Sequence, residues 1–191
     1  MMGSIFYDLF MLPLERFALT RLRRQFIPRA EGRILELGAG TGVNLRYYDR
    51  RKVGEIILSD LRPGRRIRRR AVKAGARFVA ADVEALPFAD ESFDTVVFTL
   101  LFCSVADPKQ GMREIRRVLK PGGRIVFIEH VLGCTPSTRK LQQRLTPIWR
   151  RISGNCHLDR DTLGVIEQAG FIPDEIDRRA DCVLMGGIAR R

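Results

Sequence analysis

Three carboxylates and a run of glycines carry the first chemical signal in this 191-residue chain. Glu36 stands two residues ahead of Gly38, Gly40 and Gly42 in Ile34-Leu-Glu-Leu-Gly-Ala-Gly-Thr-Gly-Val-Asn44. Asp60 follows 22 residues after Gly38, and Asp82 opens Asp82-Val-Glu-Ala-Leu-Pro87. A glycine loop between a strand and a helix lets the backbone approach a ligand closely, and that ligand is commonly a phosphate. Three acids repel a phosphate and attract a cation. The spacing here, G-x-G-x-G, also differs from the G-x-G-x-x-G of dinucleotide sites. A nicotinamide enzyme is therefore the disfavoured reading.

S-adenosylmethionine carries a sulfonium and an ammonium and no phosphate, so it matches an acid-ringed loop. The alternative for each acid is a strand-end cap or a solvated charge. Two histidines and four cysteines are the other reactive groups. His130 follows an apolar run and is the candidate general base for an acceptor proton; its alternative is a structural histidine bonded to a loop. His157 reads as a solvated loop residue. Cys103, Cys134, Cys156 and Cys182 form no C-x-x-C pair, so neither a metal site nor a disulfide framework is expected. Cys103 lacks the preceding proline of a cysteine nucleophile and reads as packing. The irregular spacings also speak against arsenite capture.

The elements that must position these groups alternate along the chain. Five β-rich runs, Arg33–Leu37, Glu55–Asp60, Arg77–Ala81, Asp94–Thr99 and Arg124–Glu129, have continuously apolar centres, as strands covered on both faces do. Helical punctuation separates them. Pro63 opens one helix and Gly75 closes it, with Ile67, Ala71 and Ala74 on its apolar stripe. Asp107-Pro108 caps another, whose Met112, Ile115 and Leu119 face the core and whose stop is Lys120-Pro-Gly-Gly123. Arg139–Ile152 is helical in pattern but should bend or break at Pro147. Asp159 caps a last helix ending at Gly170, and Phe171–Arg178 and Cys182–Ala189 complete the strands. The expected fold is a Rossmann-like α/β domain: a seven-stranded, mostly parallel sheet with an antiparallel last strand and helices on both faces. Residues 1–29 read as an N-terminal helical lid, and 30–191 as the single main domain.

Lys and Arg number 34 against 22 Asp and Glu, a formal charge of +12. Such a balance favours anionic surfaces. The run Arg65–Arg70 is read as a solvated helix face rather than an RNA reader, because no RNA-binding module accompanies it. No apolar run is long enough to span a bilayer, and Asp8, Pro13 and Glu15 interrupt the N-terminal apolar stretch against a cleavable signal. A reducing cytoplasm is the expected setting. The segment Ile5–Phe17, with Arg16, Arg21, Arg23 and Arg24, is read first as a lid over the cofactor and second as a membrane-interface segment.

Taken in order, Glu36-Leu-Gly-Ala-Gly-Thr-Gly42, Asp82-Val-Glu-Ala-Leu-Pro-Phe88, Ser92-Phe-Asp-Thr-Val-Val97 and Leu119-Lys-Pro-Gly-Gly-Arg124 resemble the motifs of class I S-adenosylmethionine-dependent methyltransferases over residues 30–190. The resemblance implies that Glu36, Gly38, Gly40, Gly42 and Asn44 hold the methionine part of the cofactor, with Tyr7 touching its carboxylate. It places Asp60 and Leu61 at the ribose, Asp82 and Val83 at the adenine, and Thr99 in the methionine pocket. More narrowly, Thr99-Leu-Leu-Phe-Cys-Ser-Val105, Ile128-Glu-His-Val131 and Pro147–His157 are similar to the thiol methyltransferases of animal microsomes and lipid droplets. They are similar too to prokaryotic ubiquinone-biosynthesis-type and phosphatidylethanolamine methyltransferases. The animal proteins have a longer N-terminal anchor that is not seen here, so peripheral contact with an acidic membrane is expected instead of permanent residence.

The expected activity is methyl transfer to a small apolar acceptor, with an alkyl thiol as the narrower expectation. Phosphatidylethanolamine and quinol methylation are the alternatives. Apolar Thr99-Leu-Leu-Phe102 stands where a base or glutamine methylase carries an Asn-Pro-Pro-Tyr-like run. A cofactor- or membrane-binding protein without turnover is the non-enzyme alternative.

Overall fold

Residues alternate sides along each apolar run, and this alternation builds the molecule. The structure, a computed structural model, describes residues 15–62, 64–153, 155–180 and 182–191. Its strands are β1 (Gly32–Leu37), β2 (Val53–Asp60), β3 (Arg77–Ala80), β4 (Phe93–Thr99), β5 (Leu119–His130), β6 (Ile172–Arg179) and β7 (Leu184–Arg190). They form one sheet in the order β3-β2-β1-β4-β5-β7-β6. The first five pair in parallel, and β7 runs antiparallel to both β5 and β6. In β5, Ile125 and Phe127 enter one core, while Val126 and Ile128 enter the other. A strand buried on both faces has no polar alternation, which is why its sequence is apolar throughout.

The helices are α1 (Thr20–Phe26), α2 (Arg65–Lys73), α3 (Pro108–Val118), α4 (Pro136–Ile152) and α5 (Thr162–Gln168). Met112 and Ile115 of α3 and Ile166 of α5 cover one face of the sheet. Leu22 and Phe26 of α1 and Ile67 and Ala71 of α2 cover the other. A Cβ on Gly186 of β7 would lie 2.8 Å from the Phe26 ring, so a side chain there would push α1 off the sheet. The strand order reverses between β1 and β4, so a crevice opens beyond their carboxyl ends.

Several local expectations are corrected. The glycine loop leads into a short 3-10 turn, Val43–Arg46, and not into a helix. β5 begins at Leu119, ahead of Arg124; a register shift against β4 takes up Lys120-Pro-Gly-Gly123. Helix α4 starts at Pro136, capped by Thr135, and continues through Pro147. The carbonyl that Pro147 cannot bond belongs to Gln143, an exposed residue, so water can satisfy it. Asp161, not Asp159, caps α5, through a bond from the Gly164 amide. Tyr7 and Pro63 lie outside the described residues.

The cysteine expectation is also corrected. Cys134 and Cys182 form a disulfide across 48 residues, with their Cα atoms 5.4 Å apart. The β5–β7 ladder explains the meeting. It ends at His130 opposite Leu184, so the chain leaving β5 and the chain entering β7 emerge side by side.

Candidate active site

Two of the three acids, Asp60 and Asp82, meet at one cleft, and the third lies buried at the foot of the glycine loop. Glu36, near the end of β1, is buried; Asn44 Nδ2 donates to its Oε1 at 3.1 Å and the Tyr48 hydroxyl donates to its Oε2 at 2.7 Å. Burial pushes its carboxyl up to about 7, against the lowering effect of the Tyr48 and Asn44 hydrogen bonds and of Arg23. Asn44 also donates to Thr99 Oγ1 at 3.0 Å and accepts from Arg23 Nε at 3.0 Å. A buried polar network thus lies beneath the glycine loop, and the loop follows it.

Gly38, Gly40 and Gly42 all have positive φ, at 62°, 52° and 72°. At Gly38 the reason is also steric, since a Cβ would stand 2.9 Å from the Leu101 side chain. The Gly40 amide donates to Asp60 Oδ2 at 2.8 Å, and the Arg62 amide donates to Asp60 Oδ1 at 2.9 Å. Asp82 Oδ1 accepts from the Glu84 amide at 3.0 Å. Asp60, Leu61, Asp82 and Val83 line a cleft of about 460 Å³ together with Gly38. Glu36 and Asn44 are buried and Thr99 half-buried, none of the three among the residues that line this cleft, and Gly42 faces α2 through Ile67.

The opposite wall of the cleft was largely missed from sequence. It is built from Leu101, Ser104, Val105 and Asn155. Leu100 turns the chain out of β4 with φ 52°, and the next three amides close on Glu129 of β5. Leu101 and Phe102 donate to its Oε1 at 2.8 and 3.1 Å, and Cys103 donates to its Oε2 at 3.3 Å. Arg160 Nη1 holds the carbonyls of Phe102 and Val105 at 2.6 and 2.7 Å. Arg23 and Tyr48 were missed as well. Leu19, Leu22, Arg23 and Phe26 share one helical face, and that spacing is the signal that would have turned Arg23 inward.

His130 does not line the cleft. It is buried, with Nδ1 3.8 Å from Cys156 Sγ. Cys103, also buried, completes a group whose ligand atoms all lie within 4.8 Å of one another. Spacing gave no reason to join residues 103, 130 and 156, which the fold brings together. Hydrogen bonding from Cys103, and then from His130, lowers the Cys156 thiol, whereas the bond to Cys156 and burial raise Cys103.

Comparison with known proteins adds to this geometry. Residues 35–127 match the family model described as a methyltransferase domain. The chain is 38% identical over 148 residues to thiol S-methyltransferase TMT1B of Rattus norvegicus, covering 72% of this chain and 59% of that protein. It is 32% identical over 178 residues to thiol S-methyltransferase TMT1A of Homo sapiens, covering 88% of this chain and 71% of that protein. The chain thus spans about six-tenths of the rat relative's length. In fold it is similar to the putative methyltransferase solved in complex with the Haloferax volcanii Trm112 activator, with a TM-score of 0.75 at 19% identity, covering 98% of this chain and 95% of that one.

Proposed function

The chain belongs to the class I S-adenosylmethionine-dependent methyltransferases, and we propose that it transfers the methyl group to a small apolar thiol. The residues present fit the donor. An acid-rimmed cleft, with a buried carboxylate at the foot of the glycine loop, suits a cation, and a loop followed by a four-residue 3-10 turn lacks the long helix that holds pyrophosphate. Glu36 and Asn44, with the Gly38–Gly40 backbone, would hold the methionine part; Asp60 and Leu61 the ribose; Asp82 and Val83 the adenine. When bound, S-adenosylmethionine supplies a methyl group on a good leaving group.

The chain's own contribution is positioning. Asp60 fixes the glycine loop through the Gly40 amide and still presents a carboxylate to the cleft. Glu129 and Arg160 hold the 101–105 segment rigid from inside and outside, so the cleft wall is pre-organised. The apolar side chains of Leu101 and Val105, which share the cleft wall with Ser104 and Asn155, are the observation that carries the acceptor reading, because they give an apolar acceptor a surface to pack against.

The test is transfer of a radiolabelled methyl group to alkyl thiols, phosphatidylethanolamine and quinols in parallel. Alkyl thiols should become labelled. Labelling of the lipid or the quinol in their place would overturn the acceptor reading.

A further inference from the structure

We propose that Cys103, His130 and Cys156 form a three-ligand site for one Zn2+ beside the cleft. The three come from separate segments: the turn after β4, the end of β5 and the loop after α4. Each is the single cysteine or histidine of that kind that its segment turns into the interior, and all three are buried. Tetrahedral zinc with Zn–S near 2.3 Å and Zn–N near 2.0 Å sets its ligand atoms roughly 3.5–3.8 Å apart. The Cys156 Sγ to His130 Nδ1 separation of 3.8 Å comes close to that spacing, and the remaining separations, all within 4.8 Å, would have to close by at most about 1 Å.

The scaffold around the cluster is fixed independently of any ion. Cys103 donates its amide to Glu129, and its carbonyl accepts from the His157 amide at 2.7 Å. His130 is held in the β5–β7 ladder. Asn155, next to Cys156, accepts from Arg150 at 2.9 and 3.0 Å and donates to the Ser104 carbonyl at 3.3 Å. Two thiolates and a neutral imidazole balance a divalent zinc, so the filled site is electroneutral in a buried place. Soft sulfur donors with one imidazole select zinc over magnesium or calcium. Three protein ligands leave a fourth position for a ligand from outside the triad, and Ser104 and Asn155, the chain neighbours of the two cysteines, line the cleft. His130 in this role is a ligand in place of a general base.

The site is tested on the whole chain with Co2+ as the spectroscopic probe. Metal-stripped protein titrated with Co2+ should bind one equivalent, with thiolate-to-metal absorption and the intense visible bands of a tetrahedral centre, and Zn2+ should displace it. Cys103→Ser and Cys156→Ser should each abolish the tetrahedral spectrum while donor affinity, read by calorimetry, confirms that the variants fold. Cys134→Ser should keep it. Absence of cobalt binding to the wild type, an unchanged spectrum in both cysteine variants, or a Cys103–Cys156 disulfide found by mass mapping overturns the proposal. Thiol methylation by metal-free protein that binds no cobalt would overturn it and leave the acceptor reading standing.

A separate observation carries a second inference. Helix α4 has its polarity reversed: Gln142 and Thr146 are buried, while Leu141, Leu145, Ile148 and Ile152 are exposed at 57%, 44%, 61% and 48%. Gln142 tolerates burial because its amide donates to the carbonyls of Val131 and Leu158 and accepts from the Gly133 amide. The helix carries Arg139, Lys140, Arg144, Arg150 and Arg151 and no acid. We infer that this face lies on an anionic lipid surface, the apolar stripe entering the interface and the cations meeting headgroups. The intact protein should sediment with phosphatidylglycerol vesicles and not with phosphatidylcholine vesicles. Leu145→Glu with Ile148→Glu should weaken binding by at least about tenfold, since two large side chains leave the apolar phase. Equal binding by the double variant, or self-association of the wild type that the variant abolishes, overturns the inference.

Discussion

On the glycine side of the cleft, Glu36, Gly38, Gly40, Asn44 and Tyr48 lie within residues 36–48, and the contacts among them are made inside that stretch. On the cysteine side, Cys103, Glu129, His130 and Cys156 are gathered from three distant segments by the β4–β5 pairing and by the His157 amide bond to the Cys103 carbonyl. The first region is written as a motif and the second as a topology. A change in the first should alter the ligand it holds and little else. A change in the second should reach the stability of the whole β5–β7 half.

The largest expected effect lies on the cysteine side. The Cys134–Cys182 bridge closes a 48-residue loop and restrains the unfolded chain. Loop-closure entropy puts its contribution at about 4 kcal/mol. Urea unfolding with and without reductant should show that loss, while calorimetric donor affinity of the still-folded protein stays the same. A reduced protein as stable as the oxidised one would erase the contrast between the two regions. Next comes Asp60→Ala on the glycine side. Removing a charged acceptor from the Gly40 amide and from the donor should weaken donor binding about 10- to 100-fold. The unfolding midpoint should move little, because Asp60 is only partly buried. Unchanged affinity would show that the rim does not hold the ligand.

The same contrast explains what the sequence disclosed. The strand order, the antiparallel β7 and the cleft residues from Gly38 to Val83 follow from runs and motifs that are read within a few tens of residues. The cysteine pairings were not legible, since no spacing rule joins Cys134 to Cys182 or Cys103 to Cys156. Only the register of β7 against β5 brings the first pair together. The glycine loop misled in one respect. A strand-loop motif of this kind suggests a helix, but Asn44 and Tyr48 turn inward to satisfy Glu36, and the backbone tightens into a 3-10 turn. The demand of one buried carboxylate outweighs local helical preference. Helix α4 departs from the ordinary pattern, since a stripe of Leu and Ile usually marks the face toward the core and here it is exposed.

The smallest effect sharpens the comparison most, because it depends on a single proton. Burial raises the Glu36 carboxyl to about 7 from an ordinary 4.5. A raised carboxyl holds its proton in the folded state when the unfolded chain has lost it. Its contribution to stability is therefore full below about 4.5 and is lost as pH rises through about 7. Donor binding has the opposite sign, since a cation favours the ionised carboxylate. Affinity should rise with pH toward about 7 and weaken about tenfold at one unit below it, with proton release on binding. Calorimetry in two buffers of different ionisation enthalpy at about pH 6.5 reads that proton directly. Glu36→Gln, which keeps the Tyr48 and Asn44 cage filled, should bind more weakly and lose the pH dependence. A wild type whose donor affinity is flat from about pH 6 to 7.5, with no proton released, would mean that the carboxylate beneath the loop does not sense the donor's charge. The glycine side would then be a structural motif whose acid serves the fold alone.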